Sequence, residues 1–484
     1  MTNLSGTDLG RRAATDPKNE GGESPSSFSK YPEYKDSGVE WLGEVPEHWD
    51  MFSLKRSVEG CVNGLWGDEP DGVSDLAVIR VADFDRDTSR VGTDKLTYRS
   101  VTQKERASRL LQPGDLLIEK SGGGEKTLVG CVVLFEHDFP AITSNFVARM
   151  RPLEGFDHGF LCYAFDNLYH GKVNYPAIKQ TTGIQNLDSE AYLQERFCFP
   201  PRAEQRSITH FLDHETAKID ALVREQQRLI ELLKEKRQAV ISHAVIKGLD
   251  PDVPMKDSGV EWLGEVPAHW CMKPFFSRFS ERREPNRGMQ NDNLLSLSYG
   301  RIINKDINTL DGLLPESYET YQMVHPGDVI FRLTDLQNDK RSLRSAIVLE
   351  KGIITSAYLA VSEIGMNPIF GAYLFRAYDL MKVFYSMGGG LRQSMKFDDI
   401  RRLPIPCPEP EEQAQIAAFL DHETAKTDEL VSVAHEGIEL LNERRSALIS
   451  AAVTGKIDVR HWRPPADESA YDPKVRGAGL ETVS

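Results

Sequence analysis

The chain carries the same sequence element twice, and this duplication constrains its fold more than any other feature. Lys35–Trp49 reads KDSGVEWLGEVPEHW and Lys256–Trp270 reads KDSGVEWLGEVPAHW, with one difference in fifteen residues. Further along, FLDHETAK occurs at Phe211–Lys218 and again at Phe419–Lys426. The copies lie about 200 residues apart, far more than the repeat of a solenoid or propeller. The sequence therefore predicts two similarly built halves, each of them a whole module.

The offset between the copies changes along the chain and shows where the halves differ. It is 221 residues at Trp49 and Trp270, 213 at the Pro-Gly-Asp turns, and 208 at the FLDHETAK elements. Most of the difference in length between the halves arises in the segment Cys61–Arg109 and its counterpart Ser280–Tyr321. These two segments share almost no residues. Shared borders around divergent interiors indicate two specificities held on one scaffold. Divergence without functional consequence would leave the same pattern.

The composition is that of an ordinary globular protein. A chain of 484 residues with 40% apolar content can form proper cores in each half. It contains no run of ~18 apolar residues and no signal-peptide core near its start, so we predict a cytoplasmic protein. We also predict a disordered tail at 1–30 and a second tail at 457–484. Six cysteines without a CxxC pair favour a reduced protein without zinc or disulfides.

The net charge of −15 argues against strong non-specific binding of nucleic acid. The excess is uneven, because Tyr31–Pro201 carries 18 Lys and Arg against 27 Asp and Glu, whereas Met255–Cys407 carries 19 against 18. Neither half is a basic domain. A local basic cleft, or phosphate contacts shared with a partner, would still allow DNA binding.

Each half reads as short strands followed by a helix. Apolar runs bounded by Gly, Asp and Pro are typical of strands, and a longer apolar segment after them is typical of a helix. The predicted strands are 76–81, 115–119, 130–135 and 146–150 in the first half, and 294–297, 328–332, 345–349 and 358–361 in the second. The predicted helices are 159–167 and 370–378. The result is a mixed α/β globule of about 150 residues in each half.

A charged segment with heptad periodicity follows each globule and predicts a helix of about 40 residues. Its apolar positions also form our predicted surface for partner docking. These positions are Ile208, Leu212, Ile219, Leu222, Leu229 and Leu233 in the first segment, and Ile416, Leu420, Leu430, Leu441 and Leu448 in the second. We predict that the two helices pack on one another as a spacer. The alternative is two separate surface helices, each packed on its own globule.

Three patterns suggest enzyme chemistry, and each fails at a decisive position. Ser121–Thr127 reads SGGGEKT, but a phosphate loop needs Gly where Glu125 stands. The carboxylates Asp115 and Glu119 suggest a nuclease cluster, yet Arg332 replaces the second of them in the repeat. His210 and His214 have zinc-like spacing, but the repeat has Ala418 opposite His210 and no third ligand is evident. We therefore predict a chain without catalytic or metal-binding residues.

Polar side chains between the strands offer a different chemistry, since Arg, Lys, Asn, Gln and Thr can read base edges or contact phosphates. For any single one, a solvated loop residue is the simpler interpretation; their clustering is what favours DNA. The candidates in the first half are Arg80, Lys120, Lys126, Asn145, Lys179, Gln180, Thr182 and Gln185. The candidates in the second half are Arg301, Arg332, Gln337, Asn338, Lys340, Arg341, Arg344, Arg392 and Gln393.

The order of these elements resembles the specificity subunits of type I restriction–modification systems. The resemblance rests on YPEYKDSGVEWLGEVPEHW, the Pro-Gly-Asp turn, and the EQ-x-x-I-x-x-FLD-x-ETAK pattern at Glu204–Lys218 and Glu412–Lys426. It covers almost everything from Tyr31 to Lys456, in both halves. It divides the chain into recognition domains at 31–201 and 251–407, and helical spacers at 202–250 and 408–456.

The resemblance implies an α+β fold with two mixed α/β target-recognition domains, each followed by a long helix. The two helices would pack as an antiparallel coiled coil. Each domain would read one half of a split double-stranded DNA site, and the helices would set the gap between the halves.

The same resemblance implies partner subunits that carry all the catalysis. Two methyltransferase subunits would dock on the helices, bind S-adenosylmethionine and methylate adenine. A restriction subunit would use ATP and magnesium, and this chain would hold no cofactor. A coiled-coil scaffold that binds only proteins is the competing hypothesis, and an enzyme with two active sites is a third. Sequence-dependent, salt-sensitive duplex binding would distinguish the first two.

Overall fold

The computed structural model describes residues 28–123, 127–181, 183–308, 317–334, 336, 343–387 and 395–464. The chain divides into two compact units. Of the described residues, those up to Arg224 together with those from Ile438 onward form unit 1, and those between Glu225 and Gly437 form unit 2. Two long helices cross this division, α4 (Arg202–Lys247) and α8 (Pro410–Val453). Each unit therefore contains one end of each long helix.

Unit 1 is a mixed α/β globule, as the sequence predicts. Its strands are β1 (Tyr34–Asp36), β2 (Glu44–Pro46), β3 (Asp50–Ser53), β4 (Val62–Asn63), β5 (Asp75–Ile79), β6 (Phe84–Asp85), β7 (Arg90–Val91), β8 (Thr97–Ser100), β9 (Asp115–Glu119), β10 (Ser121–Gly122), β11 (Val132–Phe135), β12 (Ala141–Thr143), β13 (Val147–Met150), β14 (Ile178–Thr181), β15 (Ile184–Leu187) and β16 (Arg196–Phe199). Its helices before α4 are α1 (Gln103–Arg106), α2 (His158–His170) and α3 (Ser189–Tyr192).

Unit 2 repeats this plan with fewer strands among the described residues. They are β17 (Met255–Asp257), β18 (Glu265–Pro267), β19 (Cys271–Pro274), β20 (Phe279–Glu281), β21 (Leu294–Ser298), β22 (Arg301–Lys305), β23 (Gln322–Val324), β24 (Val329–Phe331), β25 (Ser345–Ile347), β26 (Gly352–Ile354), β27 (Leu359–Glu363) and β28 (Pro404–Cys407). The helices before α8 are α5 (Pro368–Leu380), α6 (Val383–Met387) and α7 (Phe397–Ile400).

The sheets of the two units share a common pattern of pairing. In unit 1 the main sheet has the order β4-β13-β9-β11-β7-β6, and in unit 2 the order β20-β27-β24-β25 reproduces its first four strands. A parallel pair also recurs, β12 with β5 and β26 with β21. The ends of each globule are joined by β16 with β3 and by β28 with β19. The duplicated sequence has therefore produced a duplicated fold.

The central strand β9 shows why the strand predictions succeeded. All five of its residues are buried, because both faces of the sheet are covered. Side chains alternate between faces along a strand. Leu116 and Ile118 accordingly join the core against α2, and Leu117 joins a separate core on the other face. A strand covered on both sides reads as a continuous apolar run rather than as an alternating one.

The duplicated Glu-Gln pair has a structural role at the start of each long helix. In unit 1 the Gln205 carboxamide accepts from the Asp157 amide at 2.8 Å and donates to the Pro200 carbonyl at 2.8 Å. In unit 2 the Gln413 carboxamide makes the same two bonds, to the Asn367 amide and the Pro408 carbonyl. This glutamine ties the long helix to the loop that begins α2 or α5.

The duplicated tryptophans are fully buried in both units, but their polar surroundings differ. In unit 1 the buried Glu204 accepts hydrogen bonds from Tyr31 Oη at 2.6 Å and from Trp49 Nε1 at 3.0 Å. Burial and the neighbouring Glu204 carboxylate raise the pKa of the Tyr31 phenol. In unit 2 Trp270 Nε1 is buried and finds no hydrogen-bond partner among the described residues.

Within each unit, opposite ends of the long helices share one core. In unit 1, Phe211 and Leu212 of α4 belong to the same apolar cluster as Leu448 of α8, and Arg445 Nη1 donates to Asp220 Oδ1 at 3.0 Å. In unit 2, α4 and α8 again contribute to one cluster, and Arg237 and Asp428 form an ion pair at 3.4 Å. The coiled coil along the full length of the helices remains a prediction.

The heptad frame predicts the helix ends well and the middle poorly. Leu222, Leu229 and Leu430 lie at predicted apolar positions of the heptad pattern, yet they are 51%, 43% and 46% exposed. Ile230, outside the predicted frame, is buried instead. A straight α-helix drifts by ~20° per heptad, so a strict seven-residue count leaves the contact face.

The predicted tails are wrong at their inner edges. Ile457 and Val459 are buried in the core of unit 1, and Trp462 packs edge-on against Phe211 with ring centroids 5.3 Å apart. Phe28 packs against the same ring at 5.2 Å. Single apolar residues within a polar segment were enough to anchor it, which composition could not indicate. The rest of both tails lies outside the described residues.

The two helix-ending glycines predict different tolerances to alanine. Gly455 has φ +71°, and a Cβ added there would lie 2.3 Å from Pro46 Cδ. Gly248 has φ +77°, and a Cβ added there would lie no closer than 3.5 Å to another side chain, that of Trp270. Both changes force a left-handed alanine, at about 1–2 kcal/mol. Gly455→Ala also overpacks the core, so we expect it to cost about 1–3 kcal/mol more than Gly248→Ala. Urea unfolding followed by tryptophan fluorescence measures both, and equal losses would contradict the clash.

Candidate nucleic-acid interface

In unit 1 most of the described candidate residues converge around the end of β9. Lys120 follows this strand, and its Nζ donates to Asn63 Oδ1 at 2.8 Å. Its backbone amide donates to the Phe146 carbonyl at 2.8 Å, and its carbonyl accepts from the Leu187 amide at 2.8 Å. Lys120 therefore lies between the turn that carries Asn145 and the strand that carries Gln185. We name Lys120, Asn145, Lys179 and Gln180 the Lys120 cluster.

The hairpin of β14 and β15 supplies two members of this cluster. Gln180 lies directly opposite Gln185, and the hairpin joins β10 to form a three-stranded sheet. Lys179 and Gln180 are exposed. A hydrogen bond from Lys179 to Asp188, at 2.8 Å, raises the pKa of this exposed ammonium. The hairpin therefore presents a cation and a carboxamide to solvent, the groups that contact phosphates and base edges.

Two other candidates of unit 1 are held by the fold. Gln185 is buried, and its Oε1 accepts from the Val129 amide at 3.1 Å, so it supports the hairpin from inside. The Arg80 guanidinium donates to both carboxylate oxygens of Asp83, at 3.0 and 2.7 Å, and this bonding raises its pKa. Both side chains are engaged with the protein. Lys126 and Thr182 lie outside the described residues.

The acidic pair that suggested nuclease chemistry is structural. Asp115 accepts two hydrogen bonds from the Arg151 guanidinium, both at 2.7 Å. Glu119 is buried and accepts from Arg86 at 2.7 Å, while burial raises its pKa. In unit 2 the equivalent Asp328 is paired in the same way with Arg282, which directly follows β20. Asp115 and Asp328 also accept from the backbone amides of Gln112 and His325, both at 2.8 Å, and so stabilise the turn that leads into the central strand.

The candidates of unit 2 are more scattered. Arg301 on β22 is exposed and lies 3.7 Å from Asp428, and Arg332 follows β24 and is partly buried. Arg344 is fully buried; it donates through Nη1 to the Thr334 carbonyl at 3.1 Å and through Nε to Tyr385 Oη at 3.2 Å. It therefore stabilises the interior. Gln337, Asn338, Lys340, Arg341, Arg392 and Gln393 lie outside the described residues.

A buried carboxylate holds the Arg344 strand in place. Asp379 on α5 accepts from the backbone amides of Arg344 and Ser345, at 2.5 and 2.9 Å. Burial raises the pKa of Asp379 to about 6. The sequence pattern placed Arg344 with its polar neighbours in a loop, and only the packing of α5 revealed its internal role.

Sequence reasoning missed three polar or aromatic neighbours of the Lys120 cluster. Asn63 bonds Lys120, Asn186 accepts from Ser121 Oγ at 2.7 Å, and Phe146 is half exposed beside them. The glycine that follows Asn63 could have indicated that this segment packs closely against another part of the backbone. A Cβ on Gly64 would lie 2.0 Å from the Thr143 carbonyl oxygen, so this position requires close backbone approach.

The described part of the chain holds neither a metal cluster nor a membrane-spanning helix. No three His, Cys, Asp or Glu side chains gather there closely enough to hold a metal ion. No helix there is long and apolar enough to cross a membrane.

Comparison with known proteins identifies relatives along nearly the whole chain. No protein-family model matches. A protein of Methanocaldococcus jannaschii described as the type I restriction enzyme MjaX specificity subunit is 20% identical over 447 residues. The match covers 87% of this chain and 96% of the relative. The type I restriction enzyme EcoKI specificity subunit of Escherichia coli K12 is 22% identical over 395 residues, covering 78% and 82%.

A solved structure supports the same fold. A chain from a structure that describes complex assembly and conformational transition of the type I R-M system superposes with a TM-score of 0.57. It is 15% identical and covers 84% of this chain and 98% of that chain. At this identity the similarity concerns the fold alone.

Proposed function

We propose that this chain, a relative of the type I restriction enzyme specificity subunits, is the DNA sequence-specificity subunit of a type I restriction–modification complex. Each unit would read one half of a bipartite duplex site. The observation that carries the proposal is the full-length similarity to curated specificity subunits, with 96% of one relative covered. A function that needs two similar but different reading surfaces also matches a duplicated scaffold with divergent interiors.

The Lys120 cluster provides the chemistry for reading DNA in unit 1. Lysines contact phosphates and position a protein on the duplex, whereas carboxamides read base edges. Lys120 and Lys179 supply the first kind of group, and Asn145 and Gln180 supply the second. The acidic remainder of unit 1 keeps non-specific attraction to the DNA backbone weak.

The long helices are proposed to set the gap between the half-sites and to dock two methyltransferase subunits. Exposed leucines at Leu222, Leu229 and Leu430 support the docking role, since protein interfaces favour apolar surface at their centres. S-adenosylmethionine would bind to those partners. ATP and magnesium would be used by restriction subunits. This chain would contribute specificity and assembly without catalysis.

A scaffold that binds only proteins is the competing function. It is less favoured, because the relatives along the chain are specificity subunits and because polar side chains cluster at one edge of unit 1. The two functions predict opposite behaviour toward duplex DNA.

The test is to co-express the chain with the methyltransferase subunits encoded beside it and to select bound duplexes from a randomised pool. We expect two fixed half-sites with an undefined gap, and binding at least ~10³-fold tighter than to unrelated duplex. The affinity should fall linearly on a log–log plot against salt concentration, since each neutralised phosphate releases counterions. Assembly with the subunits but without duplex selection would favour the scaffold.

A further inference from the structure

A tight turn in unit 1 projects two side chains beside Lys120. The Val147 amide donates to the Ser144 carbonyl at 3.0 Å, which closes a four-residue turn with Asn145 and Phe146 at its centre. Both central residues are exposed, and Phe146 exposes 49% of its surface. The exposed ring is therefore available to contact a ligand, and burying it on binding would be favourable.

The turn is braced from three sides, so its tip has a fixed position. The Ser144 amide donates to the Ile79 carbonyl at 2.9 Å, and the Leu65 amide donates to the Thr143 carbonyl at 2.9 Å. On the third side the Phe146 carbonyl accepts from the Lys120 amide. Preorganised groups lose little conformational freedom on binding, which favours a recognition role over a flexible surface loop.

The tip side chains are not engaged by the fold. Among the described residues, no hydrogen bond is made by the Asn145 carboxamide, and no ring packs on Phe146. Lys120 and Asn63 lie next to them and form the cationic and polar border of the tip. The free carboxamide can form hydrogen bonds with the edge of a base, and the exposed ring can pack against a methyl group. The lysine can contact a phosphate, so the three groups together suit a nucleic-acid ligand.

Unit 2 builds the corresponding turn with different chemistry at its tip. The Tyr358 amide donates to the Thr355 carbonyl at 3.2 Å, so Ser356 and Ala357 occupy the centre and are exposed. The aromatic residue Tyr358 lies one position later and packs against a core cluster of unit 2. The same scaffold therefore presents a carboxamide and a ring in one unit, and a hydroxyl and a methyl group in the other.

We propose that the Asn145–Phe146 tip is a base-reading element of unit 1 that selects an A·T base pair in the major groove. This inference rests on the proposed function and adds the residues and base type to it. An asparagine carboxamide can make two hydrogen bonds to adenine N6 and N7, and a phenylalanine ring can pack against the thymine methyl group. Lys120 contacts an adjacent phosphate and positions the tip.

The test is the double variant Asn145→Ser/Phe146→Ala in the full chain, assembled with its methyltransferase subunits. It installs the residue types that unit 2 carries at its own tip, so the turn can accommodate them. Duplexes are selected from a randomised pool and the half-sites are compared with those of the unaltered complex. We expect discrimination at an A·T position of one half-site to fall by roughly 5- to 140-fold. The other half-site serves as the internal control and should be unchanged.

A matched control is Tyr98→Ala, which removes an exposed aromatic ring from β8, in a different sheet from β9 and from the hairpin. It should leave both half-sites intact. An unchanged A·T preference in the double variant would overturn the inference, as would an equal loss of affinity for all sequences in a complex that retains its unfolding temperature. If the unaltered complex selects no sequence at all, the proposed function itself fails, which is a distinguishable result.

Discussion

Exchanging Cys61–Asn186 for the corresponding segment of a relative is expected to change one half-site completely and to leave the other unaltered. The segment contains the Lys120 cluster and is bordered by the elements that recur in both halves. If the specificity for one half-site resides in this segment, that specificity is transferred together with the segment. Mapping of methylated sites in the reconstituted complex measures both half-sites in a single experiment.

The structure improves the design of this exchange. Asn186 lies within β15, so a junction there would splice two halves of one strand. A junction at Asp188, after β15 has ended, keeps the three-stranded sheet intact. The exchanged segment must also supply apolar residues at Leu116 and Ile118, which pack into the core that the constant elements share.

The second unit provides the control for the exchange. Replacing Ser280–Ser394 of unit 2, the counterpart of Cys61–Asn186, with a segment from the same relative should alter only the other half-site. If both half-sites change together after either exchange, or if neither changes in a folded complex, the modular assignment of specificity is wrong.

Replacing Glu204 with alanine is expected to destabilise unit 1 by about 2–5 kcal/mol. Tyr31 Oη and Trp49 Nε1 both donate to this buried carboxylate, and each buried donor left without a partner costs about 1–3 kcal/mol. His48 Nε2 lies 2.8 Å from the other carboxylate oxygen and would lose its contact as well. Urea unfolding followed by tryptophan fluorescence measures the loss.

The equivalent change in unit 2, Glu412→Ala, is the matched control. Glu412 contacts His269 at 2.9 Å near the surface, and Trp270 Nε1 has no hydrogen-bond partner among the described residues to lose. We expect a change of about 0–1 kcal/mol, as for exposed ion pairs. Equal destabilisation by the two substitutions would show that the Glu204 network is not what stabilises unit 1.

Much of the fold could be predicted, because its signals are local or repeated. The predicted strand at 115–119 is β9, and the predicted helix at 159–167 lies within α2, since apolar runs and their turn residues act over a few positions. The duplication allowed each half to check the other. Glu119, for example, has Arg332 at the matching position of the repeat, and the structure pairs Glu119 with Arg86.

The exposed members of the candidate site were also accessible to sequence reasoning, whereas the buried ones were not. Lys120, Asn145 and Gln180 were chosen as polar loop residues, and the fold brings them together. Arg344 was chosen by the same criterion and is fully buried, because Asp379 and Tyr385 from distant helices compensate its polar groups. Polarity indicates a need for partners, but it does not say whether those partners are solvent, DNA or protein.

The sequence by itself determined that there are two like units with short strands, one apolar helix each, and a long charged helix after each globule. These features follow from periodicity and repetition, which are properties of neighbouring residues. Only the tertiary structure decided that α4 and α8 each divide between two compact units and that Ile457–Trp462 closes the core of unit 1. It also decided that Glu204 contacts Tyr31, His48 and Trp49, whereas the equivalent Glu412 contacts His269. Those outcomes depend on contacts between residues more than 140 positions apart, which no local pattern encodes.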